Sequence, residues 1–161
     1  MITKPNRWLW LLFIMVLSQS CAYNTRNDNV DNLKTITASL KRLQTEGGEG
    51  GYVIFVANEK KNYYVQFSGS RSTRLLDAEA VSNKFLKPEY SLRQEQIAKL
   101  ISMGWKPPSV GSKGSPNYFR DWKSTNDEER LTIGQAVLRT LIDVYGLDNS
   151  RPITLQMDLK R

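Results

Sequence analysis

Apolar residues recur at steps of three and four from Val30 to Glu46, at Val30, Leu33, Ile36, Leu40 and Leu43. That spacing predicts an amphipathic helix, with Asp28 or Asn29 placed to cap its start. The run Gly47-Gly48-Glu49-Gly50-Gly51 ends it, because glycine is a poor helix former. The run leads from helix to strand and lacks a lysine at phosphate-loop spacing, so it reads as a hinge or flexible connection. Tyr52–Asn58 and Tyr63–Ser68 are rich in aromatic and β-branched residues and flank the polar loop 59–62. This is the pattern of an antiparallel hairpin. In its second strand Tyr63, Val65 and Phe67 alternate with Tyr64, Gln66 and Ser68, so one face needs an apolar cover. Thr73–Val81 is a third candidate strand.

Helical spacing returns at Ser91–Met103, with Ile97, Leu100 and Ile101 on one face and a Ser91/Gln94 capping box. Gly104 supplies a left-handed terminator, and Pro107-Pro108 prevent continuation. Ser109–Pro116 reads as a loop and Asn117–Lys123 as a strand. Thr125 and Glu128 form a second capping box for a helix carrying Leu131, Val137, Leu138, Leu141, Ile142 and Tyr145, stopped by Gly146. Ile153, Leu155, Met157 and Leu159 alternate strictly with polar residues, the signature of a strand with one buried face. Hairpin turns exclude a wholly parallel sheet. The fold class is therefore α+β, an antiparallel sheet packed by amphipathic helices.

The N-terminus follows another logic. Met1–Arg7 is basic, Trp8–Leu17 is an unbroken run of ten apolar residues, and Ser18-Gln19-Ser20-Cys21 follows. Ten helical residues rise about 15 Å, half of a hydrocarbon core of about 30 Å, so the run is too short to span. The order matches a secretory signal peptide over residues 1–20. Residues 17–21 resemble a bacterial lipobox. Ser20 fits, whereas Ser18 stands where leucine is usual and Gln19 is atypical. Cys21 is then either the lipidated N-terminus of an envelope-anchored lipoprotein, sorted to the outer membrane of a two-membrane host because Ala22 follows it, or a free thiol after ordinary cleavage into the periplasm or medium. Residues 21–29 read as a tether and residues 30–161 as one α+β domain.

Composition narrows the chemistry. The 161 residues carry a formal charge of +7, which falls to +5 when Lys4 and Arg7 leave with the signal. No element concentrates lysine and arginine into a stripe, so a nucleic-acid partner is not expected. With no histidine and one cysteine, histidine-based nucleophile pairs, disulfides within the chain and cysteine metal clusters are excluded. Asp77 and Glu79 would share a face of the third strand, which leaves a carboxylate-dependent hydrolase as one reading, against the plainer one of solvated surface charge. Arg71, Ser72 and Arg74 cluster near a turn, where they suit either solvent or an acidic partner.

Several short runs together suggest a family. Tyr64-Val65-Gln66-Phe67, Glu79–Leu86, Leu92–Gln96 through Leu100, Met103–Pro108, Pro116–Phe119 and Trp122 resemble the TY-Chap group, small domains similar to type III secretion chaperones and YbjN-like proteins. The resemblance covers about residues 50–146. It implies an α+β domain that binds protein segments, is often dimeric, and needs no cofactor and no catalytic residues. An export signal departs from chaperones that act inside the cell. Asn83, Phe85, Leu86, Trp105, Tyr118 and Trp122 lie in or beside loops and form the candidate binding surface, the alternative being aromatic plugs at the rim of the core. The expected function is a non-enzymatic, envelope-associated protein-binding module, with self-association as a homodimer also open. A small structural lipoprotein without a specific ligand is the alternative.

Overall fold

The computed structural model describes residues 28–109 and 115–161. The expected signal peptide, Cys21 and the expected tether as far as residue 27 lie outside them. The first helix, α1 (28–46), already includes residues 28 and 29, so neither Asp28 nor Asn29 caps it. Ile36, Leu40 and Leu43 are fully buried, as their spacing predicts, but Val30 is 46 % exposed. Val30 lies just before Asn32, whose side chain donates to the Arg151 carbonyl (3.0 Å) and accepts from the Ile153 amide (2.9 Å).

Five strands follow the expected order: β1 (Tyr52–Asn58), β2 (Tyr63–Ser68), β3 (Leu75–Ala80), β4 (Tyr118–Lys123) and β5 (Thr154–Asp158). They form one antiparallel sheet in the order β4-β3-β2-β1-β5. The C-terminal strand thus returns to lie beside the first. The register places Val53, Phe55, Val65, Phe67, Ala78 and Ala80 on one face, and all six are at most 2 % exposed. Burying each of the larger side chains contributes about 1.5–3 kcal/mol. The opposite face carries Tyr52, Ile54, Tyr64, Gln66, Asp77 and Glu79.

Two more helices complete the fold, α2 (Gln94–Ser102) and α3 (Asp127–Asp143). Their starts differ from the predicted boxes. Ser91 does not cap α2. Leu92 is buried and its backbone is held by Asn83, so the helix begins later, with Gln96 accepting from the Arg93 amide (3.0 Å). At α3, Asn126 is the cap and accepts from the Glu129 amide (2.8 Å). Glu129 reaches back to the Thr125 amide and hydroxyl (2.5 and 2.9 Å). Leu100 is fully buried, but Ile101 and Leu131 are 44 % and 43 % exposed, because each projects beyond its helix's contact face.

Gly104 ends α2 with φ +86°, where a side chain would be strained. The 47–51 glycine run is not a flexible connection. The Gly48 amide donates to the Leu159 carbonyl (2.6 Å) and the Arg71 amide to the Gly47 carbonyl (2.9 Å). A Cβ on Gly48 would collide with the Lys160 carbonyl. These glycines serve close backbone approach between the end of α1, the end of β5 and the β2–β3 turn.

Candidate functional site

The two edges of the sheet set where another chain could join it. At the β4 edge, the Lys106 amide donates to the Phe119 carbonyl (2.9 Å) and the Phe119 amide to the Lys106 carbonyl (3.0 Å). The Lys106 ammonium lies 5.0 Å from the Phe119 ring and 3.4 Å from Asp121. Arg120 donates to the Met103 carbonyl (2.5 Å), and its guanidinium stacks 3.6 Å from the Trp122 ring. Burial lowers the Arg120 pKa from its ordinary value. The segment that leaves α2 thus meets this edge at one bridge, Lys106↔Phe119.

β5 is different. It pairs with β1 from Tyr52↔Asp158 to Val56↔Thr154, and among the described residues no strand lies on its other side. Such an edge presents unpaired N–H and C=O groups that template pairing with another chain. Natural edges are usually blunted by lysine or proline, but Thr154-Leu155-Gln156-Met157-Asp158 contains neither. Leu155 and Met157 face the same side as Phe55 and Val53. Leu155 nevertheless stays 38 % exposed and Met157 half-buried, because β5 is the outermost strand.

A cleft lies at each end of β5. One, of about 470 Å³, is lined by Val56–Glu59, Gly146–Asp148, Arg151, Pro152 and Thr154. The other, of about 420 Å³, is lined by Arg42 and Met157–Arg161. Asp148, at the first cleft, and Asp158, at the second, are already engaged. The Asp148 carboxyl is held below its usual range by the Ser150 amide and hydroxyl, and that of Asp158 by the Lys160 side chain and amide. Glu46, beside the second cleft, is lowered chiefly by its hydrogen bond from Arg42.

The residues expected to form a binding surface are dispersed. Trp105 is 3 % exposed and donates from Nε1 to the Thr140 hydroxyl (3.1 Å). Tyr118 is 6 % exposed. Both rings lie in the core, so they offer little to a partner. Asn83 donates to the Leu92 carbonyl (3.2 Å) and accepts from its amide (2.6 Å), a staple between loop and helix approach. Phe85 is 45 % exposed, with its carbonyl held by Asn62 at the β1–β2 turn, and Leu86 is half-buried. Trp122 is half-buried opposite Leu76, and its Nε1 has no partner among the described residues. Phe85 and Trp122 therefore sit at opposite ends of the sheet.

Asp77 and Glu79 do share a face of β3. Asp77 lies opposite Asp121, whereas Glu79 accepts from Ser115 (2.7 Å) and Asn117 (3.0 Å). The Glu79 carboxylate thus ties the loop before β4 to the sheet. Pattern reading identified the β5 alternation without showing that the strand is an edge. The signal available for that was Pro152 before it and Lys160-Arg161 after it.

The model of a protein family described as T3SS (YopN, CesT) and YbjN peptide-binding chaperone 3, TY-Chap3, matches residues 34–158. That span begins within α1 and ends at the last residue of β5. No curated protein matches, and neither does any solved structure.

Proposed function

The chain belongs to the TY-Chap3 family of peptide-binding chaperones, and on that premise we propose that it holds an extended segment of another polypeptide along the free edge of β5. The observation that carries this reading is an unblunted edge strand with a cleft at each end. Main-chain hydrogen bonds supply affinity in strand addition, and pockets for alternate side chains supply selectivity. Each such bond contributes about 0.5–1.5 kcal/mol net, so a strand of five residues supports weak, reversible capture, as suits a chaperone. Leu155 and Met157 add apolar contact on the helix-covered side.

The role is binding rather than catalysis and calls for no cofactor. Its setting is the cell envelope, with Met1–Ser20 as the export signal and Cys21 as the point of lipid attachment. Several acyl chains, at about 0.8 kcal/mol per buried methylene, would hold the domain stably on a membrane. The same β5 edge suits a second copy of the chain, since two antiparallel edges can pair about a two-fold axis.

Two measurements test this. Mass spectrometry of the native protein should find an N-terminus at Cys21 with a diacylglyceryl adduct; an N-terminus at Met1 in a cytosolic fraction would remove the envelope setting. Hydrogen exchange with a permanently unfolded polypeptide, such as reduced and carboxymethylated lactalbumin, should slow the β5 amides selectively. Unchanged β5 exchange at saturating polypeptide would sink the edge-binding reading.

A further inference from the structure

Nine of the 19 lysines and arginines among the described residues have a carboxylate counter-ion. Lys34, Lys41, Arg42, Lys99, Lys106, Arg130, Arg151, Lys160 and Arg161 each lie within ion-pair distance of a carboxylate. A cleft of about 520 Å³ between the β2–β3 turn, the end of β4 and the start of α3 is built differently. Its lining includes Arg71, Arg74, Lys123 and Arg130 together with Thr45, Thr73, Ser124 and Thr125, and no carboxylate. Among the described residues Arg71, Arg74 and Lys123 make no ion pair. Other unpaired cations, such as Lys60 and Lys61, do not line any of the three clefts described.

The cleft has a hydrogen-bonded floor and an exposed rim. The Arg130 side chain is only 12 % exposed. It donates to Asp127 through Nη2 (2.7 Å) and Nε (3.2 Å), and to Gln44 through Nη1 (3.2 Å). Gln44 in turn donates to the Ser124 carbonyl (2.9 Å) and accepts from its hydroxyl (3.1 Å). Ser124 is 2 % exposed, and its amide donates to the Arg74 carbonyl (3.0 Å). The two nearest carboxylates are taken up by the floor, Asp127 by Arg130 and also by Lys41, and Glu129 by the Thr125 amide and hydroxyl. Glu129 is also close enough to Lys123 to feel its charge. Arg71, Arg74 and Lys123 ring this floor as exposed side chains.

We propose that this cleft binds a phosphate group. Arginine presents a planar fork of donors that matches phosphate oxygens in pairs, and lysine adds a point charge. The hydroxyls of the lining already donate within the protein, Ser124 to Gln44, Thr125 to Glu129, Thr45 to the Lys41 carbonyl and Thr73 to the Leu75 carbonyl, so the donors open to a phosphate are those of Arg71, Arg74 and Lys123. The cleft is larger than one phosphate, so it also accommodates part of the molecule that bears it. Because the rim is solvent-exposed, binding weakens as salt rises.

The test is a titration of the full chain with sodium phosphate, followed by amide NMR shifts, against sodium chloride at matched ionic strength. Saturable shifts confined to residues 71–74, 123–125 and 130 are expected. The Arg71→Glu/Arg74→Glu variant should weaken phosphate by at least about tenfold, whereas Lys60→Glu/Lys61→Glu, an equal charge change on the β1–β2 loop, should leave it intact. Lys123→Gln provides a milder variant should the double one unfold, with circular dichroism as the check. Linear shifts, equal shifts with chloride, or equal loss in the Lys60/Lys61 variant would each overturn the proposal. Sedimentation with phosphatidylglycerol and with phosphatidylcholine vesicles then identifies the source. A preference for phosphatidylglycerol that disappears in the Arg71/Arg74 variant marks a lipid headgroup. Saturable phosphate binding without that preference marks a soluble phosphorylated ligand.

Discussion

At one edge of the sheet β4 meets the Lys106 bridge, with Trp105 buried behind it and Arg120 stacked on Trp122. At the other, β5 meets solvent with Leu155 more than one-third exposed. β4 carries Arg120, Asp121 and Lys123, whereas the only charged residue of β5 is Asp158. They also differ in whether a neighbouring segment spends its backbone donors on the strand. The bridge at Phe119, with Trp105 in the core behind it, ties β4 to the segment after α2, and the absence of such a bridge at β5 among the described residues leaves a template. Stability should therefore concentrate at the first edge and partner binding at the second.

Four outcomes break or sharpen this contrast. Trp105→Ala should destabilise the protein by about 3–5 kcal/mol in urea unfolding, because it empties a core position and removes the indole donor to the Thr140 hydroxyl. A loss below about 1 kcal/mol, the size of an ordinary surface substitution, would show that the β4 edge is not backed by core material. Tyr145 comes next. Its hydroxyl donates to the Val81 carbonyl just past β3 (2.9 Å), and burial raises its pKa well above the ordinary value of 10.0. Below that value the phenol is neutral in both the folded and unfolded chain, and its contribution is complete. Above it the unfolded chain ionises first, so stability falls with rising pH by up to about 1.4 kcal/mol per unit. Melts across the alkaline range should show this slope, and Tyr145→Phe should flatten it.

Gly104→Ala should cost about 1–2 kcal/mol, since it forces a side chain into left-handed backbone and towards the Arg120 guanidinium. Thermal melts would read it, and an unchanged midpoint would mean that the α2 terminator does not hold the bridged edge. Smallest in stability is Leu155→Lys, expected within about 0.5 kcal/mol because the residue is partly exposed. It should nonetheless abolish the slowing of β5 exchange by unfolded polypeptide, as lysine is an edge-protecting residue. If β5 protection persists in this variant, the edge is not where the partner sits.

Much of the architecture was legible in local pattern. The α1 face through Ile36, Leu40 and Leu43, the β1–β2 hairpin and the period-two run at residues 153–159 all appear where spacing placed them. Helix starts were legible only to within a residue or two. Ser91 and Thr125 had suitable side chains, but the Asn83 staple on Leu92 and the Asn126 cap decided the boundaries. The candidate surface was the least legible. Trp105 and Tyr118 look like interface aromatics in sequence, and α3 and the sheet bury them. The free β5 edge went unseen because an alternating strand reads the same at an edge as in the middle of a sheet.

Periodicity and turn chemistry act over a few residues, so the sequence by itself determined the α+β class, the apolar face of each element and the order in which the elements occur. Pairing acts between residues far apart in the chain, so only the tertiary structure decided that β5 joins β1, that Lys106 bridges to β4, and that Arg71, Arg74, Lys123 and Arg130 meet in one cleft. The physical reason is that an edge, a cleft or a buried ring is defined by what packs beside it, and that neighbour is supplied by a distant segment.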